Sequence, residues 1–134
     1  MPTTKTDELP IKTSADVVSV RQAVRAAAME QGFSLVDQTK LVTAASELAR
    51  NTLDYGGGGI VRVEIIVEGL RKGVRLNFKD QGPGIADIQL AMRDGYTSGG
   101  GLGLGLGGAK RLVNEFNIDS APGKGTSITI TRWR

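Results

Sequence analysis

The chain has 134 residues, 17 Lys plus Arg against 14 Asp plus Glu for a formal charge of +3, 19 Gly, and neither Cys nor His. The two absences exclude disulfides, thiolate zinc sites, a cysteine nucleophile, imidazole metal ligation, a Ser-His-Asp triad and a self-phosphorylated histidine. Basic residues never run longer than two (Arg71-Lys72, Lys110-Arg111) and aromatics number six, which argues against a nucleic-acid partner. No apolar run nears the ~18 residues of a membrane helix, and Met1 to Glu8 lacks an apolar signal-peptide core. The expectation is a soluble cytoplasmic protein with no membrane and no nucleic-acid partner.

Residues 1–7 read as a polar N-terminal tail and 8–134 as one domain without internal repeats. Residues 9–13 read as a first strand, with Pro10 marking an edge. Ser14 would cap a helix over about 15–31, with Val17, Val20, Val24, Ala27 and Ala28 on one face and Gly32 ending it. Ser34-Leu35-Val36-Asp37 forms a capping box opening a helix to about Asp54, whose apolar stripe is Leu41, Ala45, Leu48 and Thr52. Val61, Val63, Ile65 and Val67 alternate with polar residues, and after a turn at 69–73 so do Val74, Leu76 and Phe78. That pattern predicts a long antiparallel hairpin ending at Asp80. Residues 81–104 lack clear regular structure apart from one short helix near 85–94. Leu106 to Phe116 fits a helix, and 117–121 with 126–133 fit a closing hairpin. Strands gathered in hairpins, with helices on one face, predict an α+β two-layer sandwich whose sheet is mixed and mainly antiparallel.

Fifteen of the 19 glycines fall in four clusters: 56–59, 82 and 84, 99–108, and 123 and 125. Each follows a helix or strand, as a backbone-lined pocket requires, because Gly permits close approach to a ligand. Beside them stand polar groups with chemistry to offer. Glu47, Arg50, Asn51 and Asp54 occupy i, i+3, i+4 and i+7 of the second helix, on a face opposite the apolar stripe. A solvated helix face explains that spacing by itself. A carboxylate able to accept a proton, one turn from an amide oxygen suited to Mg²⁺, is the functional alternative. Asp80-Gln81-Gly82-Pro83-Gly84 puts a carboxylate at a strand exit, read either as a plain loop or as a hydrogen-bond acceptor for a flat ring. Gly99 to Gly108 alternates Gly with Leu102, Leu104 and Leu106, unlike a Gly/Ser linker. It leads into a helix, where free N–H groups attract phosphate.

Two look-alikes fail. Gly103 to Gly108 satisfies G-x-G-x-x-G, but the polar stretch Asp94 to Ser98 precedes it and no acidic residue follows Asp119, against the needs of a dinucleotide fold. The eukaryotic kinase glycine loop comes with a catalytic-loop His, and this chain has none.

Taken in order, the motifs resemble the GHKL ATP-binding superfamily of Hsp90, gyrase B, MutL proteins and histidine kinases. Glu47…Asn51 is similar to its N box, Asp80-x-Gly82-x-Gly84 to its G1 box, Gly101 to Gly107 to its G2 box, and Gly123-x-Gly125-Thr126 to its G3 box. Ser46 to Asn51, Asp80 to Ile88, and Lys110-Arg111-Leu112 with Glu115-Phe116 resemble the RsbT-type serine/threonine kinases of bacterial partner switching. The resemblance spans nearly the whole chain, including a short lid at Asp94 to Ser98. It implies the Bergerat fold, ATP and Mg²⁺ as cofactors, and roles at matching positions. Glu47 would be the catalytic carboxylate and Asn51 the Mg²⁺ ligand. Asp80 would accept the adenine amino group, with Gly82 and Gly84 shaping that pocket and Thr126 supporting it. Gly101, Leu102, Gly103, Leu104 and Gly105 would wrap the triphosphate. The implied substrate is a hydroxyl of an RsbS/RsbR-like STAS-domain protein, and the implied second partner an RsbU-like PP2C-type phosphatase.

Two departures stand out. Gly107 occupies a position where these kinases commonly carry Pro, and no Arg precedes the third glycine cluster, leaving Lys110, Arg111 or Arg50 to face the γ-phosphate. An anti-sigma factor or a non-catalytic ATP-binding switch protein is the alternative reading. A detached sensor histidine kinase domain is a third, disfavoured by the absence of His.

Overall fold

The computed structural model describes residues 3–92 and 105–134. Its elements are β1 (Thr3–Ile11), α1 (Ser14–Glu30), α2 (Leu35–Asp54), β2 (Gly59–Glu68), β3 (Arg71–Asp80), α3 (Ile88–Ala91), α4 (Gly105–Arg111), β4 (Glu115–Ser120) and β5 (Thr126–Trp133). The five strands form one sheet in the order β1-β2-β3-β5-β4. Every pairing among the described strands is antiparallel, so the expected parallel admixture is not found.

The β2–β3 hairpin is the backbone of the sheet. Glu68 pairs with Arg71 across the two-residue loop Gly69-Leu70. Gly69 has φ +61°, the positive value that a type II′ hairpin turn requires at its first central position. The register places Val61, Val63 and Ile65 opposite Phe78, Leu76 and Val74, all buried on the face covered by helices. Ile128 and Ile130 of β5 continue that face, and Phe116 and Ile118 of β4 pack against it.

α1 and α2 lie together on this face. The stripes expected from helical spacing are buried: Val17, Val20, Val24, Ala27 and Ala28 on α1, and Leu41, Ala45, Leu48 and Thr52 on α2, which also buries Val42, Ala44, Glu47 and Ala49. Caps differ by one link. Thr13, not Ser14, caps α1 through a reciprocal box with Asp16, whose carboxylate accepts from the N–H groups of Lys12 and Thr13. Ser34 caps α2 as expected, accepting from Asp37 N–H at 3.1 Å. The Asp37 carboxylate turns instead to Arg132 at 2.6 Å. Arg132 also donates to the Leu112 carbonyl at 2.8 Å, so one guanidinium ties β5 to the start of α2 and the exit of α4.

Two boundaries move. β1 begins at Thr3, so residues 3–7 of the expected tail form edge-strand pairs with β2. Their side chains are exposed and polar, and a strand that buries no apolar side chains leaves no alternation to read. α4 stops at Arg111, because Phe116 and Ile118 are needed as period-two inward residues of β4. Among the described residues no helix is long and apolar enough to cross a membrane.

Where α1 ends, Gln31 is buried and its amide donates to the carbonyls of Ile66 and Gly73, both at 2.9 Å. Gln31→Leu is expected to lower stability by about 2 kcal/mol, since two buried carbonyls lose that donor. Urea denaturation monitored by circular dichroism checks the value.

Candidate functional site

One row of residues closes the sheet at the same end of every strand. Ile11 pairs with Gly59, Gly59 with Asp80, Asp80 with Thr126, and Thr126 with Ser120. The row is apolar at one edge and polar over β3, β5 and β4, all on the helix-covered face. Asp80, on the central strand, is only 8% exposed. Its carboxylate accepts from Gly82 N–H at 2.9 Å and from the Thr126 N–H. Burial pushes its pKa up, and the two N–H bonds oppose that shift.

The loops around Asp80 fit only because they carry no side chains. A Cβ on Gly56 would overlap the Asp80 carboxyl, and Gly56 itself is packed against Gly82. Gly84 has φ +77° and lies against the Ala121 carbonyl. The Tyr55 hydroxyl donates to the Gly84 carbonyl at 2.7 Å, tying the end of α2 to the loop after β3.

Between α2, the sheet end and α4 is a cavity of about 240 Å³. Leu48, Phe78, Ile85, Leu90, Leu106 and Ile128 give it apolar walls, and Asn51, Asp80 and Thr126 supply polar groups. Asn51 and Asp80, 29 positions apart in sequence, thus face one space. Such a space suits a flat, largely apolar ring with a polar edge.

Glu47 corrects the picture of a solvated helix face. It is 1% exposed, with its carboxylate accepting from Gly105 N–H at 3.2 Å. The reason is tertiary: α4 packs over this part of α2, so the polar stripe becomes an interface. Arg50 and Asp54 remain at the surface as an i, i+4 pair, with Arg50 also reaching the Ser14 hydroxyl at 3.3 Å. Gly107 lies buried within the first turn of α4, and Lys110 and Arg111 lie in its last turn. Gly101, Leu102, Gly103, Leu104 and the expected lid 94–98 lie outside the described residues. Among the described residues no three acidic groups gather as a metal cage. Asn51 lines the cavity, and an amide oxygen is a donor type that suits an Mg²⁺ ion that arrives on phosphates and takes few protein ligands.

Sequence reasoning placed Gly56 in a pocket-lining glycine cluster but missed Tyr55 and Ser120. Tyr55 stands four residues after Asn51 on the same helix face, a signal that was present. Ser120 carries no local signature, because only strand pairing brings it beside Thr126.

A two-layer α/β sandwich with a carboxylate at its central strand end, facing an amide-bearing helix across a ring-sized cavity, defines an ATP-binding domain of the GHKL type. The chain belongs to the histidine kinase-, DNA gyrase B- and HSP90-like ATPase family, whose model matches residues 36–133. Within it, the chain is of the RsbT type of protein serine/threonine kinase. It is 46% identical over 123 residues to the serine/threonine-protein kinase RsbT of Bacillus subtilis (strain 168), covering 92% of each chain. It is 27% identical to the anti-sigma F factor of Thermoanaerobacter sp. (strain X514), over 84% of this chain and 82% of that one. The fold is similar to that in the crystal structure of the RsbU and RsbW domains of Rv1364c from Mycobacterium tuberculosis, with TM-score 0.65 and 24% identity. That match covers 98% of this chain and 33% of the other. A mycobacterial sensor histidine kinase, MprB, matches with TM-score 0.55 at 20% identity, over 96% of this chain and 97% of the other.

The raised pKa of Asp80 has a stability consequence. A native value above the ordinary 3.8 means the folded state holds the proton more tightly than the unfolded chain. The group therefore favours folding below that ordinary value and opposes it increasingly as pH rises through the native one. At pH 7, Asp80→Asn is expected to raise the Tm of the nucleotide-free chain by about 2–5 °C and to weaken ATP binding at least about tenfold. Thermal unfolding and titration calorimetry measure the two effects.

Proposed function

We propose that the chain transfers the γ-phosphoryl group of Mg·ATP to a serine or threonine hydroxyl of an RsbS/RsbR-like STAS-domain protein. When released, it binds and activates an RsbU-like PP2C-type phosphatase. The setting is a cytoplasmic stress-signalling module in which partners exchange. The observation that carries this reading is the placing of Asn51 and Asp80 on one cavity, with Glu47 one helical turn from Asn51. The likeness to the Bacillus subtilis kinase supports it.

The base lies at the sheet end. The Asp80 carboxylate accepts from the adenine amino group, with Thr126 beside it and Gly82 and Gly84 letting the ring approach. By the family resemblance, Gly101, Leu102, Gly103, Leu104 and Gly105 would hold the triphosphate. Asn51 would hold Mg²⁺, which would supply positive charge to the phosphates. Glu47, oriented by Gly105 N–H, accepts the proton of the attacking hydroxyl. A P–O bond to that hydroxyl oxygen forms as the bond to ADP breaks, and the product is a phosphorylated partner plus ADP. Most of the catalysis is positioning and charge stabilisation.

Glu47→Gln keeps an oxygen for Gly105 N–H and removes the base. It is expected to slow labelled phosphate transfer to a STAS protein by about 10²–10⁴-fold, with ATP affinity unchanged within a factor of about two. Undiminished transfer by that variant would sink the role given to Glu47. The anti-sigma F factor relatives favour a second reading, capture of a sigma factor by binding alone. A sigma-factor pull-down separates the two, and no sigma factor is expected to be retained.

A further inference from the structure

Ser120 does not line the ATP cavity, yet its hydroxyl has three polar neighbours. Ile85 N–H donates to it at 2.8 Å. It donates to the Gly125 carbonyl at 3.0 Å. The Thr126 hydroxyl oxygen lies 2.8 Å away.

A serine hydroxyl owns one proton and two lone pairs. Ile85 N–H occupies one lone pair. A carbonyl can only accept, so Gly125 takes the Ser120 proton. What remains on Ser120 is a single lone pair, and the Thr126 contact can be made only if Thr126 is the donor. The one proton of the Thr126 hydroxyl is therefore turned away from the cavity that Thr126 lines. Toward the cavity Thr126 shows lone pairs alone. Its cross-strand neighbour Asp80, when ionised, also only accepts. The polar end of the cavity is thereby made of acceptors.

We infer that Ser120 is a positioning residue that fixes the proton direction of Thr126 and so selects a 6-aminopurine nucleotide over a 6-oxopurine one. An exocyclic amine brings donors to this edge. A 6-oxo oxygen brings lone pairs against lone pairs, and a site's unpaired polar groups are what give large discrimination. The inference rests on the ATP-binding reading above and adds a selectivity element outside the ring's contact shell.

The test compares dissociation constants of ATP and inosine triphosphate by titration calorimetry on the full chain. The two nucleotides differ at the purine 6-position and its adjoining ring proton. The wild type is expected to prefer ATP. In Ser120→Ala the Thr126 rotor is freed, and the preference is expected to fall about tenfold. Ser120→Thr restores the hydroxyl and most of the preference. In a Thr126→Val background Ser120→Ala is expected to leave the ratio unchanged, since Ser120 acts through that hydroxyl. Should Ser120→Ala not fold, Ser120→Cys keeps a side-chain atom at that place and weakens the acceptor for the Thr126 proton, and the same ratio is read.

Parallel weakening of both nucleotides in Ser120→Ala would mean a merely structural role and would overturn the inference. So would equal affinity of the wild type for both nucleotides, or an undiminished effect of Ser120→Ala in the Thr126→Val background. A wild type that binds neither nucleotide overturns the ATP-binding reading itself, a distinct result.

Discussion

A carboxylate held largely out of water at the end of a central strand is the constraint around which the rest of this domain is arranged. Asp80 has β2 on one side and β5 on the other, and its side chain points into the layer between sheet and helices. Left alone there, an ionised carboxylate is costly. It is kept by N–H donors from Gly82 and Thr126, and the first comes close because its loop carries no side chain there. Gly56 could not bear a methyl group without displacing the Asp80 carboxyl. Gly56, Gly82 and Gly125 are thus steric requirements of one buried acid and its loops.

The same acid shows the tension between folding and function. A polar group that opposes folding at neutral pH persists where its chemistry is needed. The wall around it is apolar and the polar groups are few, and three of them have defined partners. Asp80 has backbone N–H groups, Tyr55 has the Gly84 carbonyl, and Thr126 has Ser120. Glu47 follows a related logic on the other side of the cavity. It is buried under α4 and oriented by Gly105 N–H, so a carboxylate one turn from Asn51 is placed by a neighbouring helix rather than by solvent.

Regular structure was legible wherever burial imposed a period. The stripes of α1 and α2 and the alternation of β2, β3 and β5 are the inward faces of the sandwich. The misread stretches lack that imprint. Residues 3–7 form a strand through backbone pairing while their side chains face solvent. Leu112, Val113 and Phe116 continue a helical spacing by coincidence, and sheet pairing with β5 takes Phe116 for β4. The second half of the expected capping box was diverted because Asp37 found Arg132, 95 positions along the chain.

By itself the sequence determined which residue types were available for chemistry, the α+β class, and the order of four glycine-flanked motifs that mark an ATP-binding family. These are local properties, set by composition, periodicity and short-range spacing. Only the tertiary structure decided that Glu47 is buried rather than solvated, that Asn51 and Asp80 face one cavity, and that Ser120 stands behind Thr126. Those facts depend on which helix covers which face and on which strands pair. Such contacts are fixed by packing and register over long separations, and no local pattern in the chain encodes them.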